Sequence, residues 1–407
     1  MMEATYPAYD CYKESGVQWW PSIPSHWSIK TLKHGLRIYN GQDHKDVLAD
    51  EGYPVYGSGG QFAFASAYLH DGEAILLGRK GTIDRPIHVM GKFWSVDTMF
   101  YAICNSTFLP RFAYYYCTTI PFSYFSTATA LPSMTQSDLK NNRIAFPPLS
   151  EQRAIAAFLD DKCAKIDGAV KIKEDQIALL RERRQIIIQD AVTRGLNPAA
   201  PMKDSGIDWI GQIPAHWEVK RNKHMFVEIN QRSAKGTEQH LSMSQKLGLV
   251  PANLVEKALV SESYEGAKLV QPGDLVLNRL KAHLAVFSIA QMEGLVSPDY
   301  SVFHPFVKGA SSQYYEALFK TSMFLGEFRL RVRGIVEGFY RLYTDSFMDI
   351  PLLIPPQAEQ DDIVAHLDQL AIKFDAAVSI KQDQIAALKE YKTSLINAAV
   401  TGKIKVI

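Results

Sequence analysis

A chain of two repeated units, each mixing strand and helix, is what the 407-residue sequence predicts. The phrase "PSIPSHWSIKTLKHG" (21–35) returns about 190 residues later as "GQIPAHWEVKRNKHM" (211–225), sharing the core IPxHW. A longer stretch, "FPPLSEQRAIAAFLDDKCAKIDGAVKIKEDQIALLRERRQIIIQDAVT" (146–193), is matched without a gap by "IPPQAEQDDIVAHLDQLAIKFDAAVSIKQDQIAALKEYKTSLINAAVT" (354–401), with half of the positions identical. Between the duplicated segments lie two middles of short apolar runs cut by Gly and polar turns, the pattern of strands, and these show no comparable likeness. A period this long is not that of a solenoid. A shared frame around two different inserts suits one job done on two different targets.

Length favours two to three domains, each able to bury its own core. Apolar and charged fractions of 47% and 21% are those of an ordinary soluble protein. No run approaches the roughly 18 apolar residues of a membrane span, and "MMEATYPAYDCYKESG" lacks the layout of a secretory signal, so the cytoplasm is the default location. Cys11, Cys104, Cys117 and Cys163 are scattered, without CxxC or zinc-finger spacing, and are expected as buried thiols with no metal. A net charge of +1 neither demands nor forbids nucleic acid, because clustering matters more than the sum.

In chain order, the first middle carries strand patterns at "GYPVYGSGGQFAFAS" (52–66), "AILLGRKGTI" (74–83) and "FWSVDTMFYAI" (93–103). Thr135 and Asp138 form a capping box for a helix at Gln136. The first closing segment puts Ile166, Val170, Ile177, Leu180, Ile187 and Ala191 on one stripe, with Lys173 and Arg184 in its gaps. The second repeats the stripe with Phe374, Val378, Ile385, Leu388, Leu395 and Ala399, and with Lys381 and Lys392 in the gaps. Such stripes argue for long amphipathic helices packed against each other as a spacer, roughly 30 residues and about 45 Å each. Pro147-Pro148 and Pro355-Pro356 mark their starts, with Ser150 an N-cap and Glu151 and Glu359 in the first turns; Gly195 and Gly402 mark their ends. The turn-rich "TRGLNPAAPMKDSGIDW" (193–209) links the units. The second middle has strand patterns at 241–250, 268–283, 293–305 and 328–342, with a helical interval over 313–328.

Gly57, Gly59 and Gly60 invite a phosphate-loop reading, but GSGG lacks GxxxxGK[ST], and a tight exposed turn accounts for it. His26 and His216 sit inside a packing phrase and read as structural rather than catalytic. Arg79-Lys80-Gly81 after "AILL", and Asn278-Arg279-Leu280-Lys281 after "DLVL", put basic and amide groups just past predicted strands, within reach of phosphates or base edges. Arg329, Arg331 and Arg333 alternate and would share one face of an extended segment, as DNA contacts or as a solvated strand edge. Methyltransferase DPPY or NPPY, GxSxG, HExxH and PD…ExK signatures are missing, which disfavours a stand-alone enzyme.

The doubled IPxHW, the helix openings "FPPLSEQ" and "IPPQAEQ", "PVYGSGG" with "LGRKGT", and "PGDLVLNR" with "VSPDY", in this order, resemble the specificity (S, HsdS-like) subunit of type I restriction-modification systems over nearly the whole chain. The resemblance implies an α/β (α+β) fold with two target-recognition domains, separated by two long antiparallel conserved helices in a pseudo-twofold repeat. Its parts would be target-recognition domain 1 (1–146), a central conserved helical spacer (147–196), the linker with target-recognition domain 2 (197–353), and a distal helical spacer (354–407).

By the same resemblance, each domain reads one half of a split, asymmetric site in double-stranded DNA, and IPxHW is written twice because a partner is bound twice. That partner is a pair of modification subunits that carry S-adenosylmethionine and methylate adenine N6. Restriction subunits using ATP and Mg add translocation and cleavage, and this chain holds no cofactor of its own. Candidate DNA contacts, chosen by chemistry, are Ser58, Gln61, Arg79, Lys80 and Ser133 in the first domain. In the second they are Ser244, Gln245, Asn278, Arg279 and Lys281, with Arg333 and Arg341. Candidate partner contacts on the helices are Glu151, Gln152, Ile166 and Ile177, and Glu359, Gln360, Phe374 and Ile385.

Overall fold

The duplicated apolar stripes become two long helices in the computed structural model, which describes residues 6–122, 132–245, 247–255, 263–307, 310–336 and 339–406. Helices are numbered α1 (Pro110–Cys117), α2 (Gln136–Asn141), α3 (Leu149–Arg194), α4 (Ser312–Phe319), α5 (Ser322–Arg331), α6 (Thr344–Met348) and α7 (Gln357–Val400). At 46 and 44 residues, α3 and α7 exceed the expected length and extend about 65–70 Å each. The chain forms two compact units, Met1–Asp175 with Lys381–Ile407, and Gln176–Ile380, so each unit holds half of both long helices. Among the described residues no helix is long and apolar enough to cross a membrane.

The helix halves pack antiparallel. In the first unit Ile166 and Val170 of α3 share a core with Leu395, Ile396 and Ala399 of α7; in the second, Ala191 and Val192 share one with Ile363. The basic residues in the stripes find acids across the seam: Lys392 Nζ lies 2.7 Å from Asp167, and Arg184 Nη1 lies 2.8 Å from Asp375. These are one ion pair written twice, since Asp375 is the repeat counterpart of Asp167, and Lys392 that of Arg184.

The two middles, unlike in sequence, build the same central sheet. In the first unit its strand order is Ile87–Val89, Ala74–Gly78, Met99–Cys104, Leu36–Asn40; in the second it is Phe287–Ile289, Leu275–Asn278, Tyr300–Pro305, Phe226–Ile229. All neighbours are antiparallel. The second strand in each order is buried along nearly its whole length, so apolar character is required there but identity is not. Around this sheet, Ser28–Thr31 pairs with Arg143–Phe146, and Glu218–Arg221 pairs with Pro351–Ile354, tying the start of each middle to its end. The first unit adds a five-stranded sheet that includes Tyr53–Gly57 and Gly60–Ala65, and the second adds two-stranded ladders.

The repeated phrase locks these parts together. Trp27 and Trp217 are fully buried. In the first unit Glu151, in the first turn of α3, accepts from Trp27 Nε1 (2.9 Å) and the Tyr9 hydroxyl (2.9 Å) and lies 2.6 Å from His26 Nε2. Burial, with this carboxylate alongside, pushes the Tyr9 phenol pKa well up. In the second unit Glu359, in the first turn of α7, accepts from Trp217 Nε1 (2.5 Å) and lies 3.1 Å from His216 Nε2. The neighbouring glutamine holds the shorter helix: Gln152 Oε1 accepts from Leu109 N (2.8 Å) ahead of α1, and Gln360 Oε1 from Ser311 N (2.9 Å) ahead of α4.

The exit glycines complete the lock. Gly195 and Gly402 have φ of +74° and +76°, the left-handed helix end. A Cβ on Gly402 would meet Pro24 Cδ at 2.4 Å, and one on Gly195 would meet Trp217 Cζ2 at 3.3 Å. Each IPxHW thus grips the start of one long helix and the end of the other.

Of the expected partner contacts, Glu151, Gln152 and Gln360 are buried within the chain. Ile166 and Ile177 are buried, and Phe374 and Ile385 half-buried, along the stripes of their own helices; Glu359 is held by Trp217 and His216. Ser150 is not a cap but lies within α3, whose first bond runs from Gln152 N to the Pro148 carbonyl (3.0 Å). Arg329 and Arg331 lie in α5, opened by the Thr321 side chain, and only Arg333 begins a strand. Cys11 is exposed and Cys104 half-buried, while Cys117 is buried and its thiol pKa pushed up to about 12.

Replacing Glu151 with Ala strands the Trp27 and Tyr9 donors, each fully or nearly buried. Urea titration of the full chain should show a loss of about 2–4 kcal/mol. Glu359→Ala should cost less, because that side chain is 33% exposed against 8% for Glu151. Gly402→Ala, meeting both a left-handed φ and Pro24, should lower the melting temperature more than Gly195→Ala.

Candidate nucleic-acid interface

In the first unit the strand Ala74–Gly78 delivers Arg79 at its end, where the backbone turns against two neighbouring segments. Arg79 N donates to Thr98 O (2.9 Å), and Arg79 O accepts from Met134 N (3.0 Å). The guanidinium Nη1 donates to Asp97 O (3.3 Å), which aims the fork while leaving other N–H groups open. Lys80 bridges to Ser133, and Gly81 N donates to Pro132 O (3.0 Å). Gly81 has φ +84°, and a Cβ there would lie 3.3 Å from Ser58 Oγ, so the GSGG turn reaches this loop. That turn is a tight one joining Tyr53–Gly57 to Gly60–Ala65, and exposed Gln61 sits beside it. Ser58, Arg79, Lys80 and Ser133, far apart in sequence, therefore meet at one place. Phe62, 58% exposed next to Gln61, adds an apolar surface that the charge pattern gave no reason to select.

In the second unit Leu275–Asn278 delivers Arg279 in the same way, and Arg279 O accepts from Leu342 N (2.9 Å). Arg279 Nε donates to Asp299 O (2.6 Å). Asp299 Oδ1 lies 3.6 Å from both Arg279 Nη2 and Arg341 Nη2, so one exposed carboxylate faces two guanidinium groups. Arg341 is directly opposite Arg333 across an antiparallel ladder, a like-charge pairing that is unfavourable without anions. Asp345, 3.3 Å from Arg333 Nη2, supplies the second acid, and the Tyr343 ring lies under that guanidinium (5.6 Å). Asn278 Oδ1 accepts from Leu280 N (3.1 Å), Lys281 is exposed, and Gln245 Nε2 donates to Leu284 O (3.1 Å). Ser244 Oγ accepts from Leu247 N (3.2 Å) at the neighbouring turn.

The region holds groups that sequence reasoning did not select. Asp299 and Asp345 are its counter-ions, and "VSPDY" and "YTDS" contained them without signalling which arginine each would face. His283 Nδ1 is buried without a partner among the described residues, and burial together with Arg329 lowers its pKa. Lys268 is buried with its Nζ donating to Tyr300 O (2.7 Å), and burial lowers its pKa despite nearby Glu228. The chemistry on offer is donation by guanidinium, ammonium, amide and hydroxyl groups. Among the described residues no cluster of three or more His, Cys, Asp or Glu is placed to hold a metal.

Residues 27–176 match the model of the type I restriction modification DNA specificity domain. The chain is 24% identical over 277 residues to the EcoKI specificity subunit of Escherichia coli K12, covering 64% of this chain and 57% of that subunit. It is 21% identical over 371 residues to the putative specificity subunit S.HindORF215P of Haemophilus influenzae, covering 84% and 88%. It is 20% identical over 414 residues to the EcoDI specificity subunit of Escherichia coli, covering 94% and 89%. A chain from a structural study of assembly and conformational transition of the type I R-M system superposes with a TM-score of 0.67 at 15% identity, covering 94% of this chain and 99% of that one. The HsdS subunit from Thermoanaerobacter tengcongensis gives 0.51 at 16% identity, covering 96% and 100%. These structural likenesses establish the fold, with its two mixed domains and long helices. Residues 27–176 thus match a type I restriction modification DNA specificity domain, and most of the chain is similar to specificity subunits of type I restriction-modification systems.

Proposed function

We propose that this chain is the sequence-specific DNA-recognition subunit of a type I restriction-modification complex, itself without catalysis. The observation that carries the reading is the pair of donor-rich loops. Both units present basic side chains at the end of the same buried strand, on the same sheet order, with different neighbours. Each unit would read one half of a bipartite, asymmetric site through the major groove, with DNA shape contributing.

The shared helices would scaffold two modification subunits, which supply S-adenosylmethionine and methylate adenine N6 after flipping the base. Restriction subunits would bring ATP, Mg and cleavage. Helices of about 65–70 Å exceed the ~34 Å of one duplex turn, the spacing that places two half-sites on one face. Because Glu151, Gln152 and Gln360 serve the interior, partner contact falls to exposed helix positions such as Leu179, Ile186 and Ile372, which are 63%, 53% and 71% exposed.

Single-molecule sequencing should find a split motif with modified adenine in each half when this chain is expressed with its modification subunit, and none when only this chain is removed. No difference, with the methyltransferase shown to be active, would turn the reading to an adaptor that does not touch DNA. The chain alone should bind DNA weakly and with little sequence preference. Its net charge is +1, and Arg279 and Arg333 already face Asp299 and Asp345. Fluorescence anisotropy on the purified chain checks this, and nanomolar, sequence-specific binding without partners would contradict it.

A further inference from the structure

The two middles share almost no sequence, yet one arginine recurs at one structural address. Arg79 and Arg279 are each the first residue past the second strand of the central sheet. Each offers its carbonyl to the residue twelve places before the end of the closing strand, Met134 N in one unit and Leu342 N in the other. Each guanidinium rests on a carbonyl of the turn leading into the next strand, that of Asp97 or Asp299. The side chains around this shared anchor differ. Before Met134 stands Ser133, and before Leu342 stands Arg341; after Arg79 comes Lys80, and after Arg279 comes Leu280.

Two half-sites of different sequence have one thing in common, the sugar-phosphate backbone. Contacts to it position a protein, whereas contacts to base edges specify the sequence. A residue kept at the same address in both readers fits the common part, and residues that change at that address fit the part that changes. Resting on the DNA-recognition reading above, we infer that Arg79 and Arg279 are the equivalent phosphate clamps of the two domains. Ser133 and Arg341, adjoining the shared anchor, are specificity-determining. Arg341 would meet an acceptor pair in the major groove, the kind of edge a guanine presents. Asp299 serves both roles, since it faces the clamp and the reader at equal distance before DNA arrives.

The test uses the assembled complex with its modification subunits. Binding to the cognate duplex, and to duplexes with single base changes, is measured across salt concentrations, alongside the modified motif in cells. Arg79→Ala and Arg279→Ala should weaken binding to every duplex by a common factor, lower the salt slope by about 1, and leave the motif unchanged. Arg79→Lys, which keeps the charge, should retain the wild-type slope, and this holds the proposal testable if the alanine variant folds poorly. Arg341→Ser should relax one position in one half-site, with discrimination there falling roughly 5- to 150-fold, and leave the other half intact. A changed base preference in Arg79→Ala, or a uniform loss without relaxed preference in Arg341→Ser, would overturn the assignment while leaving DNA recognition standing. A wild-type complex that modifies no motif would remove the recognition reading, and this inference with it.

Discussion

Everything in each unit hangs on one carboxylate in the first turn of a long helix. Glu151 and Glu359 take the indole N–H of a fully buried tryptophan, and without that acceptor the tryptophan could not be buried at so little cost. The same tryptophan closes on the exit glycine of the other long helix, so the phrase joins three segments distant in sequence. The glutamine next door fixes the helix that backs the central sheet. From carboxylate to tryptophan to sheet, the lock orients the strand whose end carries the arginine.

Duplication makes the helix pairing self-consistent. An antiparallel pair of repeats brings each position opposite the counterpart of its own partner, so one favourable contact is obtained twice. Asp167 with Lys392 and Arg184 with Asp375 show this directly. These pairs are partly exposed and add little to stability on their own. Their effect is on register, since sliding one helix by a turn would put charges in the stripe against apolar residues.

The frame was legible in the sequence because its signals are local or periodic. Proline pairs, exit glycines and a stripe over several heptads identify the helices without knowledge of the fold. α3 is longer than the stripe from Ile166 to Ala191 because buried Ile155, Leu159 and Cys163 continue that stripe toward the helix start. The role of IPxHW was not legible, since its acceptor lies 124 or 142 positions away. The common sheet was hidden because its strands share burial and not identity. Alternating arginines at 329, 331 and 333 fit a strand as well as a helix end, and the cap at Thr321 decided for helix. The candidate interface was half legible: strand ends predicted where Arg79 and Arg279 would stand, but nothing local placed Ser58 near Gly81 or Asp299 near Arg341.

The acids beside the arginines show how the proposed DNA-reading surface could sit on a nearly neutral chain. An unopposed cluster of Arg279, Arg333 and Arg341 would attract any polyanion, and most of that binding would carry no sequence information. Asp299 and Asp345 give these arginines carboxylate partners, so in the proposed reading a phosphate or base edge would have to compete with a carboxylate already in place. A non-cognate duplex that supplied only phosphates would gain little from the exchange, whereas one that also supplied the matching acceptors would gain more. Specificity is a difference between such gains, and lowering the common electrostatic term makes the difference count. If the proposed reading holds, the same balance would leave the chain dependent on other subunits for tight binding and would couple recognition to assembly of the complex.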